Sequence, residues 1–175
     1  MRHRHLPRLW MMTDERQGDA LWTALQRLPR GAGVVFRHYS LPQKERKALF
    51  ERVARIARKR GLLLLRAGAS LGERGWQVDG VHGRRGPGLR SASVHSLREI
   101  RSAERDGADL LFLSPAFTTR SHPGAPSLGP LRFTLLTRQT QLPVIALGGM
   151  NAAHARRLND TRLYGWAAID AWGTD

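Results

Sequence analysis

Ser114, Thr118, Thr119, Arg120, Ser121 and His122 lie within nine consecutive residues. These are the groups that grip a phosphate ester. Hydroxyls donate to its oxygens, and a guanidinium adds charge with forked hydrogen bonds. His122 is the general acid or base candidate of this stretch, because an imidazole with a reference pKa near ~6.5 carries a proton at neutral pH. Thr118, Thr119, Arg120 and Ser121 are the phosphate-binding candidates. About twenty residues on, the apolar run 143–147 ends in Gly148-Gly149 before Met150-Asn151. Two glycines let backbone N–H groups come close to an anion, and amides opening a helix favour negative charge. The same pair equally suits a strand-to-helix turn that needs positive φ.

Arg37 closes the run Val34-Val35-Phe36, where a salt bridge and a substrate contact are both open. Asp14 and Asp170 stand at the ends of other apolar runs, Asp14 either facing substrate or capping the next turn. His82 and His95 read as core histidines hydrogen-bonded to backbone. His3 and His5 belong to a basic tail, and no metal site is assigned to them. Cysteine is absent, which removes disulfides, thiolate metal ligands and cysteine nucleophiles together.

Eight strand-like runs can position these residues: 9–12, 33–39, 62–65, 78–82, 89–94, 109–113, 143–147 and 164–171. Between them, 19–28 and 42–60 carry apolar residues at helical spacing, and Gly61 suits the C-cap of the second. Ser96 begins a helix to 105, with Glu99 in capping-box position. Further helices are expected over 130–140 and 151–158. The stretch 68–77 carries little more than a turn of helix. Strands alternating with helices argue for an α/β fold, here a compact (β/α)8 TIM barrel with a degenerate third helix and little after strand eight. An open doubly wound sheet is the structural alternative. In the barrel, the ends of strands six and seven meet the C-terminal face, where such folds bind substrate.

A chain of 175 residues suits one domain, divided here into a basic tail over 1–8 and a barrel domain over 9–175. The run 9–12 stops too soon for a signal-peptide core, so a cytoplasmic location is expected. The net charge of +15 raises nucleic acid as a partner. The basic residues are dispersed, however, and those of 52–60 have Val53, Ile56 and Ala57 threaded through them. They read as a solvated helix face, and nucleic acid ranks last. A phosphorylated small molecule is the expected partner, with no membrane and with a homo-oligomer left open.

Val78-Asp79-Gly80-Val81-His82, Gly107-Ala108-Asp109, the stretch 114–124 (Ser-Pro-Ala-Phe-Thr-Thr-Arg-Ser-His-Pro-Gly) and Ala146-Leu147-Gly148-Gly149-Met150 resemble the thiamine phosphate synthase/thiazole tautomerase (TenI) family. The openings Leu9-Trp10-Met11-Met12-Thr13-Asp14 and Val34-Val35-Phe36-Arg37 are similar too. The resemblance implies a barrel that handles hydroxyethylthiazole phosphate. In its synthase branch, Mg²⁺ helps pyrophosphate leave a pyrimidine and the thiazole nitrogen attacks. Arg37 would then meet the pyrophosphate, while Thr119, Ser121 and the Gly149 backbone would hold the thiazole phosphate. Several synthase features are replaced. Arg66-Ala67 stand where Asn-Asp is expected, and Gly83-Arg84-Arg85-Gly86 where an acidic residue is expected. Tyr39 and His122 stand for lysines, and Asp170 for a serine. The tautomerase branch moves a proton to aromatise the thiazole and needs no metal. The resemblance therefore implies a metal-independent, tautomerase-like isomerase without a cofactor. A divergent synthase, a transferase for which Mg²⁺ would return, and a non-catalytic phosphate binder are the alternatives.

Overall fold

The computed structural model describes residues 6–68, 75–83, 86–119, 126–158 and 162–172. In chain order the elements are β1 (Leu9–Met12), a 3-10 helix (Glu15–Gln17), α1 (Ala20–Arg27), β2 (Gly33–Phe36) and α2 (Gln43–Arg60). Then come β3 (Leu63–Ala67), β4 (Gly80–His82), β5 (Leu89–Val94), α3 (Leu97–Arg105) and β6 (Leu110–Leu113). The last are α4 (Gly129–Thr137), β7 (Val144–Ala146), α5 (Ala152–Arg157) and β8 (Leu163–Ala168). Each strand pairs in parallel with the next, and β8 pairs with β1, so the sheet closes into an eight-stranded barrel. Closure rules out the open doubly wound sheet.

The interior is packed rather than hollow, as expected for this barrel. Trp10, Met12, Val35, Leu65, Leu89, Phe112 and Ile145 are buried in it. Trp10 meets Phe112 edge to face at 5.3 Å, and its indole N–H donates to the Pro7 carbonyl at 2.7 Å. Gly33 is the glycine this packing requires, since a Cβ there would lie 2.2 Å from the Trp10 ring. Outside the barrel, α1 and α2 seal β1 to β3, with Leu21, Leu25, Phe50 and Val53 buried. The other helices seal β5 to β7 through Ile100, Phe133 and Leu158.

The helices thin out where the sequence has a degenerate third unit and little after strand eight. Among the described residues no helix joins β3 to β4 or β4 to β5, and none follows β8. Trp76 covers part of that wall, packing on Phe50 at 4.6 Å and under the Arg66 guanidinium at 4.4 Å. Beside α3 a cavity of about 260 Å³ opens against Gly83, Arg90, Ala92 and Ala108. β2 ends at Phe36 rather than residue 39, because His38 takes φ 37° and turns the chain toward α2. β8 ends at Ala168, short of the expected 171. Gly61 does close α2, at φ 65° with its amide on the Ala57 and Arg58 carbonyls. Ser96 caps α3 as expected, but the Glu99 carboxylate takes the His95 amide at 2.6 Å rather than that of Ser96. No helix among the described residues is long and apolar enough to cross a membrane.

Candidate active site

The loop after β6 and the turn after β7 form one corner of the barrel mouth. The two strands are neighbours, so their C-terminal extensions run side by side. The Ala116 amide donates to the Leu147 carbonyl at 2.8 Å, and Phe117 to Gly148 at 3.1 Å. Gly148 has φ 90° and Gly149 φ 61°. A Cβ on Gly148 would lie 2.9 Å from Pro115 Cα, and one on Gly149 would lie 2.2 Å from the Thr118 carbonyl oxygen. Both glycines are therefore demanded by backbone conformation and by close approach of the hydroxyl-bearing loop. Their amides donate no hydrogen bond among the described residues. Thr118 is exposed and Thr119 half-buried beside them. Arg120, Ser121 and His122 lie outside the described residues.

His154, which sequence reasoning passed over, pins this corner. Its Nδ1–H donates to the Gly149 carbonyl at 2.6 Å, and its ring stacks on Phe117 at 4.3 Å. Asn151 caps the same helix through the His154 amide at 2.8 Å. The signal lay in the spacing, since a histidine five residues past a glycine turn reaches back to it from the first turn of helix.

Arg37 stands on another part of the mouth, half-buried at the end of β2. Its amide donates to Thr13 Oγ1 at 2.9 Å, and its guanidinium lies 3.9 Å from Asp14 Oδ2. Asp14 itself caps the 3-10 helix by accepting from the Arg16 amide at 3.1 Å, which selects the capping alternative. Burial would raise its carboxyl, yet hydrogen bonds from the Arg16 side chain and backbone and the charges of Arg16 and Arg37 hold it below the ordinary carboxylate range. Arg46, a second residue missed in sequence, braces Arg37 from behind. From α2 it donates to the carbonyls of His38 at 2.9 Å, Arg37 at 2.9 Å and Ala67 at 2.6 Å. It sits four residues before Phe50 and seven before Val53, on the buried stripe of that helix. His38 is buried with Nδ1 3.0 Å from Thr13 Oγ1, and burial lowers its pKa.

The third part of the mouth is polar and runs inward. His82 Nδ1 lies 2.9 Å from Ser91 Oγ and Nε2 lies 3.0 Å from Ser93 Oγ. The ring meets Phe112 edge to face at 5.2 Å. Burial, then the charge of Arg37, lowers its pKa to about 4, so it is neutral at pH 7. The expectation of a core histidine holds for burial, but its partners are hydroxyls instead of backbone, because Ser91 and Ser93 share its face of the barrel. His95 does not fit that expectation. It is exposed and pairs with Glu99 at 2.9 Å, since it lies past β5 in the approach to α3.

Across 94% of its length the chain is 31% identical to the putative thiamine-phosphate synthase 2 of Aquifex aeolicus, covering 96% of that protein. The chain belongs to the thiamine monophosphate synthase family. The family's sequence profile, described as thiamine monophosphate synthase, matches residues 88–172. The thiamine-phosphate synthase of Pyrococcus furiosus is 36% identical over 80 residues, 46% of this chain and 39% of that one. In fold, the chain is similar to the solved thiamine phosphate pyrophosphorylase of Pyrococcus furiosus. The TM-score is 0.78 at 24% identity, over 97% of this chain and 89% of that one.

Within a thiamine monophosphate synthase barrel, the acidic side chains expected to hold Mg²⁺ would come from the ends of β3 and β4. Magnesium is a hard ion that takes oxygen ligands, and the residues at the end of β3 do not fit it. Arg66 is turned against Trp76, and Ala67 offers a methyl group. Residues 84 and 85 after β4 lie outside the described residues. No cluster of three histidines or carboxylates suited to a metal occurs among the described residues. Asp170, the carboxylate in the expected serine position, is exposed, and its charge acts on Arg16.

Proposed function

We propose that this member of the family binds a hydroxyethylthiazole phosphate as its non-aromatic tautomer and moves a proton to aromatise the ring, as a metal-independent enzyme of the tautomerase type. The close approach of the loop at Thr118 to the backbone of Gly149 supports the reading, because it brings the hydroxyl-bearing segment beside two glycine amides that donate no hydrogen bond among the described residues. Thr118, Thr119, Arg120, Ser121 and the backbone of Gly148 and Gly149 would hold the phosphate. His122, in the same loop, would exchange the proton. Arg37 would face the other end of the substrate. Such phosphorylated substrates go with a cytoplasmic setting.

Turnover of a non-aromatic thiazole phosphate tautomer, unaffected by EDTA and lost in His122→Ala, is the expected result. Turnover unchanged in His122→Ala would remove that histidine's role. The curated relatives named as synthases favour a second reading, in which Arg37 receives a pyrophosphate and the chain is a divergent synthase. Product formed from pyrimidine pyrophosphate and thiazole phosphate only with Mg²⁺ would select it. Thiazole phosphate binding by calorimetry without turnover of either kind would leave a non-catalytic binder.

A further inference from the structure

Among the described residues Ser91, His82 and Ser93 form a polar line against the apolar barrel interior, and the outermost of these is exposed at the mouth. The direction of its hydrogen bonds follows from the partners. Ser91 Oγ has the Val81 carbonyl at 3.4 Å as a place for its own proton. It therefore accepts from His82 Nδ1–H, which leaves the Nε2 lone pair for the Ser93 hydroxyl. A histidine held only for packing would be satisfied by Ser91 and a second buried group. Here the second partner is a hydroxyl open to the mouth.

We propose that Ser93 is the group that exchanges a proton with substrate, with His82 as the base behind it and Ser91 fixing the imidazole tautomer. This rests on the reading given above for the identity of the substrate and divides the transfer with it: Ser93 takes the proton from the ring, and the proton given to the exocyclic carbon is left to His122 of that reading. Both contacts, at 2.9 and 3.0 Å, fall in the range a hydroxyl–base pair requires, with the base oriented by a third group. In the forward step a ring C–H bond breaks, and its proton passes to Ser93 Oγ as the hydroxyl proton moves to His82 Nε2. The released electron pair closes the aromatic ring. A proton given by His122 forms the new C–H bond at the exocyclic carbon, and the imidazolium of His82 passes its proton to solvent, from which His122 regains one. One proton is removed and one is added, with no redox change.

The surroundings bear on when this base acts. Arg37 from β2 is the charged group whose field reaches His82. β3 places Ala67 beside it in register, β5 its two serines, and β6 the Phe112 ring. An anionic substrate paired with Arg37 would cancel the one unfavourable charge and strengthen the base on binding.

A fluorophosphonate reports on the couple without any thiazole. Ser93 Oγ would attack phosphorus, the hydroxyl proton would pass to His82, and fluoride would leave. Incubated with the whole chain, the probe is expected to give an adduct that peptide mapping places on Ser93. Folded His82→Gln, verified by circular dichroism, should slow labelling at least ~100-fold, the size of a lost general base. In the unaltered protein the labelling rate should stay level from neutral pH down to about pH 5.5 and halve near 4, where His82 takes up its proton. That readout needs no variant. No adduct at Ser93, an unchanged rate in His82→Gln, or an acid limb near ~6.5 as for an ordinary histidine would each overturn the proposal. Labelling of Ser93 without turnover of the thiazole tautomer would remove the substrate reading and leave the couple standing.

Discussion

Replacing Gly149 by alanine would put a methyl carbon 2.2 Å from the Thr118 carbonyl oxygen, at a residue whose φ is +61°. Two costs combine. An L-residue in the left-handed region loses ~1–2 kcal/mol, and forcing packed backbone apart adds ~1–3 kcal/mol. The total is about 2–5 kcal/mol, or roughly 5–15 °C in Tm for a chain of this size. Gly61 separates the two contributions, because it has φ +65° and a methyl group there would meet nothing within 4 Å. Gly61→Ala should carry only the conformational cost, about 1 kcal/mol after the gain from a less free unfolded chain. Thermal unfolding of both variants by circular dichroism, with calorimetric titration of thiazole phosphate, reads the difference. Gly149→Ala should melt well below Gly61→Ala and lose phosphate affinity. Equal melting temperatures would refute the claim that the loop after β6 presses on the turn after β7.

Other perturbations test separate links. Arg46→Met keeps the stem of the side chain but strips three carbonyls of their donor, so urea unfolding should show a loss of about 2–4 kcal/mol. Burial keeps His82 neutral with a folded pKa of about 4 against ~6.5 unfolded. The unfolded chain therefore binds the extra proton between those values. Stability is full above pH 6.5 and falls by up to ~3 kcal/mol as the pH drops to 4. Urea midpoints across that window should decline in the wild type and flatten in His82→Gln. Gly33→Ala should destabilise by overlap with Trp10, and Trp10→Phe in the same chain should recover part of the loss, a coupling that a double-mutant cycle measures.

Most of the strands were legible as short apolar runs, since runs buried on both faces need no alternation, whereas β5 alternates. Gly61 and Ser96 marked helix boundaries through backbone chemistry that depends on single residues. The pairing of the hydroxyl loop with Gly148-Gly149 was also readable, since adjacent parallel strands must deliver their following loops to one place. Arg46 was not, because a guanidinium within a basic helix looks solvated unless its register with Phe50 and Val53 is followed. Nor were the partners of His82. Ser91 and Ser93 alternate along β5 as any half-exposed strand would, and only barrel closure turns that face inward. The thin units after β3 and β4 were legible too, because 68–77 has too little apolar periodicity for a full helix; what the sequence did not show is that Trp76 covers part of the gap.

β4 has three residues, no helix of its own among the described residues, and open space beside it. It is the weakest stave of the cylinder, yet it carries His82. Amides of β4 should exchange with solvent sooner than those of β2 or β6, and each such opening would draw the imidazole away from both serines. Proton handling at the mouth is thereby tied to how tightly the barrel wall holds shut at its least supported seam.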